Sequence, residues 1–190
     1  MLNKIKSVMI ANRGEISLRI VRACKELGVK SVAVYSEADK DTLAVKLADE
    51  SVCIGPASAQ ASYQNQDAII SAALAFGVDA IHPGYGFLSE KADFARKCEE
   101  NGIIFIGPSA EIIGKMGDKI EARKIADSAS VPTIPGSDGV VKEFNKALEI
   151  AENVGFPLLI KASAGGGGRG MRVVKSGDTL EQDLNEIMSE

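Results

Sequence analysis

Between residues 4 and 107 the chain repeats one pattern: a short apolar run, a polar or glycine break, then a longer stretch whose apolar residues share one helical face. The runs are Ser7-Val8-Met9-Ile10-Ala11, Ser31-Val32-Ala33-Val34-Tyr35, Ser51-Val52-Cys53-Ile54, Val78-Asp79-Ala80-Ile81 and Ile103-Ile104-Phe105-Ile106. Ile16, Ile20, Cys24 and Leu27 fall on one face of the first intervening helix, and Ile69, Ile70, Ala73, Leu74 and Phe76 on one face of a later one. Further helices are expected over 43–48 and 92–100. Gly28, Gly77 and Gly102 stand where three of these helices must stop. A strand, a helix and a second strand bring the chain back in its original direction, so the pattern predicts an open, mostly parallel α/β sheet.

Such a sheet gathers ligands beyond the carboxyl ends of its strands, which makes the strand exits the first places to look. The first exit, Asn12-Arg13-Gly14-Glu15, lacks the G-x-G-x-x-G fingerprint and puts an acid where a pyrophosphate would sit. That argues against a dinucleotide site. A P-loop is missing as well, since Gly114-Lys115 is followed by Met116. The fourth exit, His82-Pro83-Gly84-Tyr85-Gly86-Phe87-Leu88-Ser89-Glu90, is too rich in glycine and aromatic residues for a routine connection. Two readings of it stand: a ligand loop, or a Pro-Gly turn leading to a helix capped by Ser89. His82, the only histidine, has no nucleophile beside it and reads as a structural hydrogen-bonding group.

After Gly107-Pro108 the pattern changes. Helices over 109–116 and 118–130 lead to a joint over 131–139 rich in proline and glycine, so a domain boundary is expected within 115–135. Lys119 starts the second helix, where the dipole does not favour a cation, and on its own reads as a surface lysine. A helix over 143–154 turns Phe144, Ala147, Leu148 and Ala151 inward. Two apolar strands follow, over 156–161 and 171–175, the first expected to be buried; a helix carrying Leu180, Leu184 and Ile187 comes last. Between the strands, five of the six residues from Gly165 to Gly170 are glycine. Ordering them forgoes about 2.5 to 5 kcal/mol relative to alanine, at roughly 0.5 to 1 kcal/mol each. Bare backbone N–H groups flanked by Lys161 and Arg169 suit closure over phosphates, with Lys161 acting as a point charge.

The net charge of -4 argues against a nucleic-acid partner, which calls for a basic face. Cys24, Cys53 and Cys98 lie far apart without a C-x-x-C and read as reduced thiols, with no metal or disulfide expected. The first residues run straight into a strand, so no signal peptide is expected. No apolar run reaches the roughly 20 residues of a membrane span. A cytoplasmic setting is therefore expected.

Several ordered strings carry a resemblance. They are Ile10-Ala11-Asn12-Arg13-Gly14-Glu15-Ile16, the stretch from Ile81 to Glu90, Phe105-Ile106-Gly107-Pro108, Met116-Gly117-Asp118-Lys119, and Ile160-Lys161-Ala162-Ser163 through Gly170-Met171-Arg172. Together they resemble the biotin carboxylases, as a subunit of bacterial acetyl-CoA carboxylase or a domain of pyruvate and propionyl-CoA carboxylases. The resemblance implies a pre-ATP-grasp, Rossmann-like domain over 1–115, a helical linker over 116–135, and over 136–190 the small α+β lid subdomain of an incomplete ATP-grasp domain. It implies ATP-dependent activation of bicarbonate as carboxyphosphate, with Mg2+ on the nucleotide, and carboxylation of biotin held on a carrier. By motif position Lys119 and Lys161 resemble nucleotide-contacting lysines, Gly165, Gly166, Gly167 and Gly168 the phosphate-covering lid, and Met171 an adenine-side residue. Tyr85, Gly86 and Glu90 resemble the loop facing biotin and bicarbonate.

Ala164 stands where glycine is usual and Lys91 where asparagine is usual. In this family the Mg2+ ligands, the bicarbonate-holding lysine and arginine and the catalytic glutamate lie in the later half of the ATP-grasp domain. No catalytic or metal residue is therefore expected in this chain, which should be inactive alone. The implied partners are a biotin carboxyl carrier protein, a carboxyltransferase and a second copy in a homodimer, with acetyl-CoA the leading acceptor. A standalone nucleotide-binding protein and a different ATP-grasp ligase remain the alternatives.

Overall fold

A computed structural model describes residues 5–137, 139–161 and 171–189. The chain forms two compact units, Met1–Gly117 and Asp118–Glu190.

In the first unit the strands are β1 (Ser7–Ile10), β2 (Lys30–Tyr35), β3 (Glu50–Cys53), β4 (Ala80–His82) and β5 (Ile104–Phe105). They make one five-stranded sheet in the order β3-β2-β1-β4-β5, and every pairing is parallel. The helices are α1 (Gly14–Leu27), α2 (Leu43–Leu47), α3 (Gln66–Phe76), α4 (Ala92–Glu100) and α5 (Ala110–Gly117). Period-two alternation sorts the strand residues between two cores. Val8, Ile10 and Ala80 pack with Ile20, Val21 and Cys24 of α1 and Ala44 of α2. Met9, Ala11, Ile81 and Phe105 pack with Ile69 and Ala73 of α3, Phe94 and Cys98 of α4, and Ile113 of α5. Both faces of the sheet are thus covered, which is why its strands read as continuous apolar runs.

The chain starts in the middle of the sheet, winds outward to β3, then returns to add β4 and β5 on the other side of β1. The direction of winding reverses between β1 and β4. A crevice opens there, at the carboxyl ends of those two strands.

Two helical faces differ from expectation. The buried stripe of α1 is Ser17, Ile20, Val21 and Cys24, whereas Leu27 is 75% exposed. It is the last residue of the helix, beside the left-handed Gly28 that turns the chain towards β2. Leu74, on the expected face of α3, is likewise exposed, whereas Ile69, Ile70 and Ala73 are buried in the core and Phe76 packs against its edge.

The second unit holds α6 (Lys119–Ser128), α7 (Phe144–Val154), the antiparallel pair β6 (Leu158–Lys161) and β7 (Met171–Val174), and α8 (Gly177–Ser189). Asp118 caps α6 by accepting from the backbone N–H groups of Ile120 and Glu121. A small core joins Ala151 of α7, Val174 of β7 and Leu180 of α8 with Phe144, Leu148, Leu158 and Ile160. Only one face of the pair is covered. The expectation that residues 156–161 form a buried strand therefore fails: Leu158 and Ile160 are half-buried, but Leu159 is exposed.

Cys24, Cys53 and Cys98 are free thiols, Cys53 exposed and the other two buried. Among the described residues no helix is long and apolar enough to cross a membrane.

Candidate functional site

The loop leaving β4 occupies the crevice where the sheet reverses, and side chains from three other strand exits hold it. Asn12, directly after β1 and 3% exposed, has both Nδ2 hydrogens engaged. One bond goes to the carbonyl of Pro83 at 2.7 Å and the other to that of Tyr85 at 2.8 Å. Its Oδ1 accepts from the backbone N–H of Arg13 at 2.8 Å. Flipping the amide would set Oδ1 against two carbonyls, so the network fixes its orientation.

Between the two carbonyls lies Gly84 at φ +66°, where a Cβ would come within 2.8 Å of Asn12 Nδ2 and 3.1 Å of Ile16 Cγ1. Only glycine fits. Gly84 N–H also donates to His82 Nδ1 at 3.1 Å, which makes His82 the structural hydrogen-bonding group expected from sequence. Burial pushes the imidazole pKa down, in keeping with a neutral ring that accepts at Nδ1.

The far end of the loop rests on a second anchor. Phe87, held at φ +44°, stacks on Tyr63 with ring centroids 5.5 Å apart. Tyr63 is fully buried, donates to Asp39 Oδ2 at 2.8 Å and accepts from the backbone N–H of Ser36 at 2.9 Å. Asp39 Oδ2 also accepts from Ser36 Oγ at 2.7 Å and lies 3.4 Å from Arg13 Nη1. The Arg13 guanidinium stands 5.8 Å from the Tyr63 ring centroid, in reach of a cation–π contact. Burial, reinforced by the bond donated to Asp39, pushes the Tyr63 phenol up to about 12. Burial would also raise Asp39, but the bonds from Ser36 and Tyr63 and the Arg13 charge outweigh it and hold the carboxyl below its usual range.

On this base Tyr85 is displayed 63% exposed, its hydroxyl 3.1 Å from Glu15 Oε2 in the first turn of α1. That bond, made with the neutral phenol, raises the Tyr85 pKa. Gly86 and Glu90 are exposed on the same loop, so the structure brings Tyr85, Gly86 and Glu90 onto one surface segment. Ser89 does not cap α4; the N-cap is Lys91, which makes no side-chain cap bond. The sequence reading missed Asn12, Arg13, Asp39 and Tyr63. The available signal was that Asn12-Arg13 and Ser36-Glu37-Ala38-Asp39 are themselves strand exits of a parallel sheet, where ligand-facing groups collect.

The second region lies on the uncovered face of β6 and β7. Lys161 and Met171 are directly opposed in the register, as are Leu159 and Val173. All four are exposed. Residues on one face of adjacent strands touch across the ladder, so this is an apolar platform with a lysine at its open end, suited to a flat apolar ring carrying an anionic tail. On the other face Arg172 Nη2 bonds Glu186 Oε2 of α8 at 2.6 Å. Lys119 is the first residue of α6. Gly165, Gly166, Gly167 and Gly168 lie outside the described residues. Among the described residues no group of three or more His, Cys, Asp or Glu is placed to hold a metal ion.

Residues 4–113 match the family described as "Biotin carboxylase, N-terminal domain", and residues 118–190 that described as "Carbamoyl-phosphate synthase L chain, ATP binding domain". The chain is 60% identical over 181 residues to the biotin carboxylase of Haemophilus influenzae, covering 95% of this chain and 40% of that protein. It is 52% identical to the mitochondrial pyruvate carboxylase of Mus musculus, covering 98% of this chain and 16% of the relative. Among solved structures, the Campylobacter jejuni biotin carboxylase in complex with β,γ-ATP superposes with a TM-score of 0.90 at 51% identity, over 98% of this chain and 42% of that one. The biotin carboxylase domain of Hydrogenobacter thermophilus 2-oxoglutarate carboxylase, solved with MgADP, ADP and bicarbonate, gives 0.87 at 47% identity, over 98% and 41%. The chain thus spans about 40% of the length of the biotin carboxylases it matches.

Proposed function

The chain belongs to the biotin carboxylase family, and from that premise we propose that it forms the first part of an ATP-dependent carbon–nitrogen ligase that carboxylates biotin. In this reading ATP activates bicarbonate as carboxyphosphate, and the CO2 released passes to the ureido nitrogen of biotin on a carrier protein. The first unit acts as the N-terminal domain. The second, from Asp118 onward, holds the rest of the helical linker over 116–135 and the lid subdomain over 136–190.

The observation that carries the proposal is the β4 loop: an exposed tyrosine, glycine and glutamate on a segment that Asn12 and Tyr63 fix at the reversal point of a parallel sheet. Tyr85, Gly86 and Glu90 face the biotin and bicarbonate end. The β6–β7 face fits a nucleotide, with Met171 towards the adenine and Lys161, joined by Lys119, towards the phosphates. The run Gly165 to Gly168 covers those phosphates. Among the described residues no cluster of His, Cys, Asp or Glu is placed to hold Mg2+. Its ligands and the catalytic groups belong, in this reading, to the part of the family's length that the chain does not span. The partners are a biotin carboxyl carrier protein, a carboxyltransferase and a second copy in a homodimer, working in the cytoplasm with acetyl-CoA as the first acceptor to test.

The test is bicarbonate-dependent ATP hydrolysis and biotin carboxylation by the protein taken at its relatives' full length. Lys161→Ala is expected to raise the KM for ATP about tenfold or more, the loss of one charge-assisted contact, and to leave that for biotin alone. The isolated 190-residue chain is expected to show no turnover. Bicarbonate-dependent hydrolysis by that chain would overturn the division of labour. Absence of biotin-stimulated hydrolysis at full length would overturn the activity itself.

A further inference from the structure

We infer that Asn12 is a positioning residue for the carboxylation site: it sets the pose of the Tyr85 loop through its two amide hydrogens and thereby controls the apparent affinity for biotin without touching the nucleotide. The inference rests on the reading that this loop faces biotin.

The loop contains three residues at positive φ in four positions, Gly84 at +66°, Gly86 at +65° and Phe87 at +44°. Such a backbone does not keep one conformation by local preference, and the non-glycine Phe87 opposes it. Something outside the loop has to select this state. The contacts that do so near Tyr85 come mainly from Asn12, whose Nδ2 hydrogens bind the carbonyls on either side of Gly84 at 2.7 and 2.8 Å.

The geometry suits asparagine. Aspartate at this position would set a carboxylate against two carbonyls, serine has one hydrogen to donate, and alanine has none. Gly84 leaves no room for a Cβ between them, so loop and clamp are fitted to each other. Asn12 is buried, and its Oδ1 is already engaged by the N–H of Arg13. Both amide hydrogens and the oxygen are thus engaged with backbone groups of the loop and its neighbour. The Ser36, Asp39 and Arg13 network bears on Tyr63, which stacks on Phe87, three residues past Gly84, and its bonds do not reach those carbonyls.

Freed from the clamp, Tyr85 would keep only the exposed bond of its hydroxyl to Glu15. Its ring and the following Gly86 would then sample many poses, and the occupancy of the binding-competent one would fall. An affinity reduced by a smaller competent fraction appears as a raised KM.

The experiment compares Asn12→Ala, Asn12→Ser and Tyr85→Ala in the full-length protein, with free biotin, bicarbonate and MgATP as probes. For Asn12→Ala the expected result is a KM for biotin raised about tenfold or more, with the KM for ATP within about twofold of the parent, in line with a role away from the nucleotide. Asn12→Ser, which keeps one donor, is expected to lie between Asn12→Ala and the parent, and it carries the test if the alanine variant does not fold. A residue that matters only for stability would lower the amount of active protein and leave the two KM values together. Biotin and ATP values that move in step, or a biotin KM unchanged in both Asn12 variants while Tyr85→Ala raises it, would overturn the inference alone. A biotin KM unchanged in Tyr85→Ala would overturn the assignment of the loop to biotin.

Discussion

The two sheets bury their strands in opposite ways, and the difference decides where each unit can carry function. In β1 the consecutive residues Val8, Met9 and Ile10 are all buried, because helices cover both faces of the five-stranded sheet. In β6 Leu158 and Ile160 turn inward while Leu159 and Lys161 face outward. A strand covered on both sides has every side chain committed to a core, so the chemistry it supports moves to the loops at its end. Asn12 and the Tyr85 loop are placed in that way. A strand with one free face can present side chains directly, as Lys161 and Met171 do. The first unit therefore holds its candidate groups on rigidly anchored turns, and the second on the open side of a two-stranded pair.

The largest expected effect tests whether the double-sided core is the firmer of the two. Phe94 is fully buried and meets Phe105 edge-on with ring centroids 6.0 Å apart. Phe94→Ala is expected to cost about 3 to 5 kcal/mol, as transfer and cavity terms add. Leu180, 1% exposed in the small core of α7, β7 and α8, offers the matching deletion in the second unit, with Leu180→Ala costing about 2 to 5 kcal/mol. Urea denaturation followed by amide exchange in each unit reads both. The contrast breaks if Phe94→Ala leaves exchange in the first unit unchanged while Leu180→Ala abolishes protection throughout the chain.

What could be read in advance follows the same division. The parallel sheet was legible because strands covered on both faces leave unbroken apolar runs, and α1 and α3 end at glycines that adopt the left-handed conformation, Gly28 and Gly77. Residues 156–161 misled, because a run such as Phe156-Pro157-Leu158-Leu159-Ile160 looks the same whether one face or both are covered. Composition within a strand does not record what lies above it. The Tyr85 loop stood out by its glycines and aromatics, and motif resemblance named Tyr85, Gly86 and Glu90. Its supports did not stand out. Asn12, Asp39 and Tyr63 are 27 and 24 residues apart along the chain and are gathered under one loop only by the winding of the sheet, Asn12 at Pro83 and Tyr85 and the hydrogen-bonded Asp39 and Tyr63 beneath Phe87.

An intermediate effect concerns the anchor beneath Phe87. The Asp39 carboxylate, about one-fifth exposed, receives Ser36, Tyr63 and Arg13 at once. Asp39→Ala leaves the buried Tyr63 hydroxyl without an acceptor and is expected to cost about 1 to 3 kcal/mol. The pH dependence has a definite sign. A carboxyl held below its ordinary value of 3.8 contributes stability that is fully present above that value and lost as pH falls through the lower, folded-state value. The parent should therefore lose stability on acidification below about pH 4 more steeply than Asp39→Ala. Equal acid slopes in the two proteins would show that the network contributes through packing and not through charge.

The smallest effect bears most directly on the comparison, since it places two neighbouring leucines of one strand on opposite sides of it. Leu158 packs into the core of the second unit, and Leu159 stands on the open face opposite Val173. Threonine keeps the strand propensity at either position, so burial is the main variable that changes. Leu158→Thr is expected to lower stability by about 1 to 2 kcal/mol through lost apolar burial. Leu159→Thr should stay within about 0.5 kcal/mol of the parent, as exposed substitutions do, while weakening MgATP binding measured by calorimetry on the full-length protein. If both leucines proved equally costly to stability, the β6–β7 face would be covered by protein rather than open, and Lys161 and Met171 could not serve as a nucleotide platform.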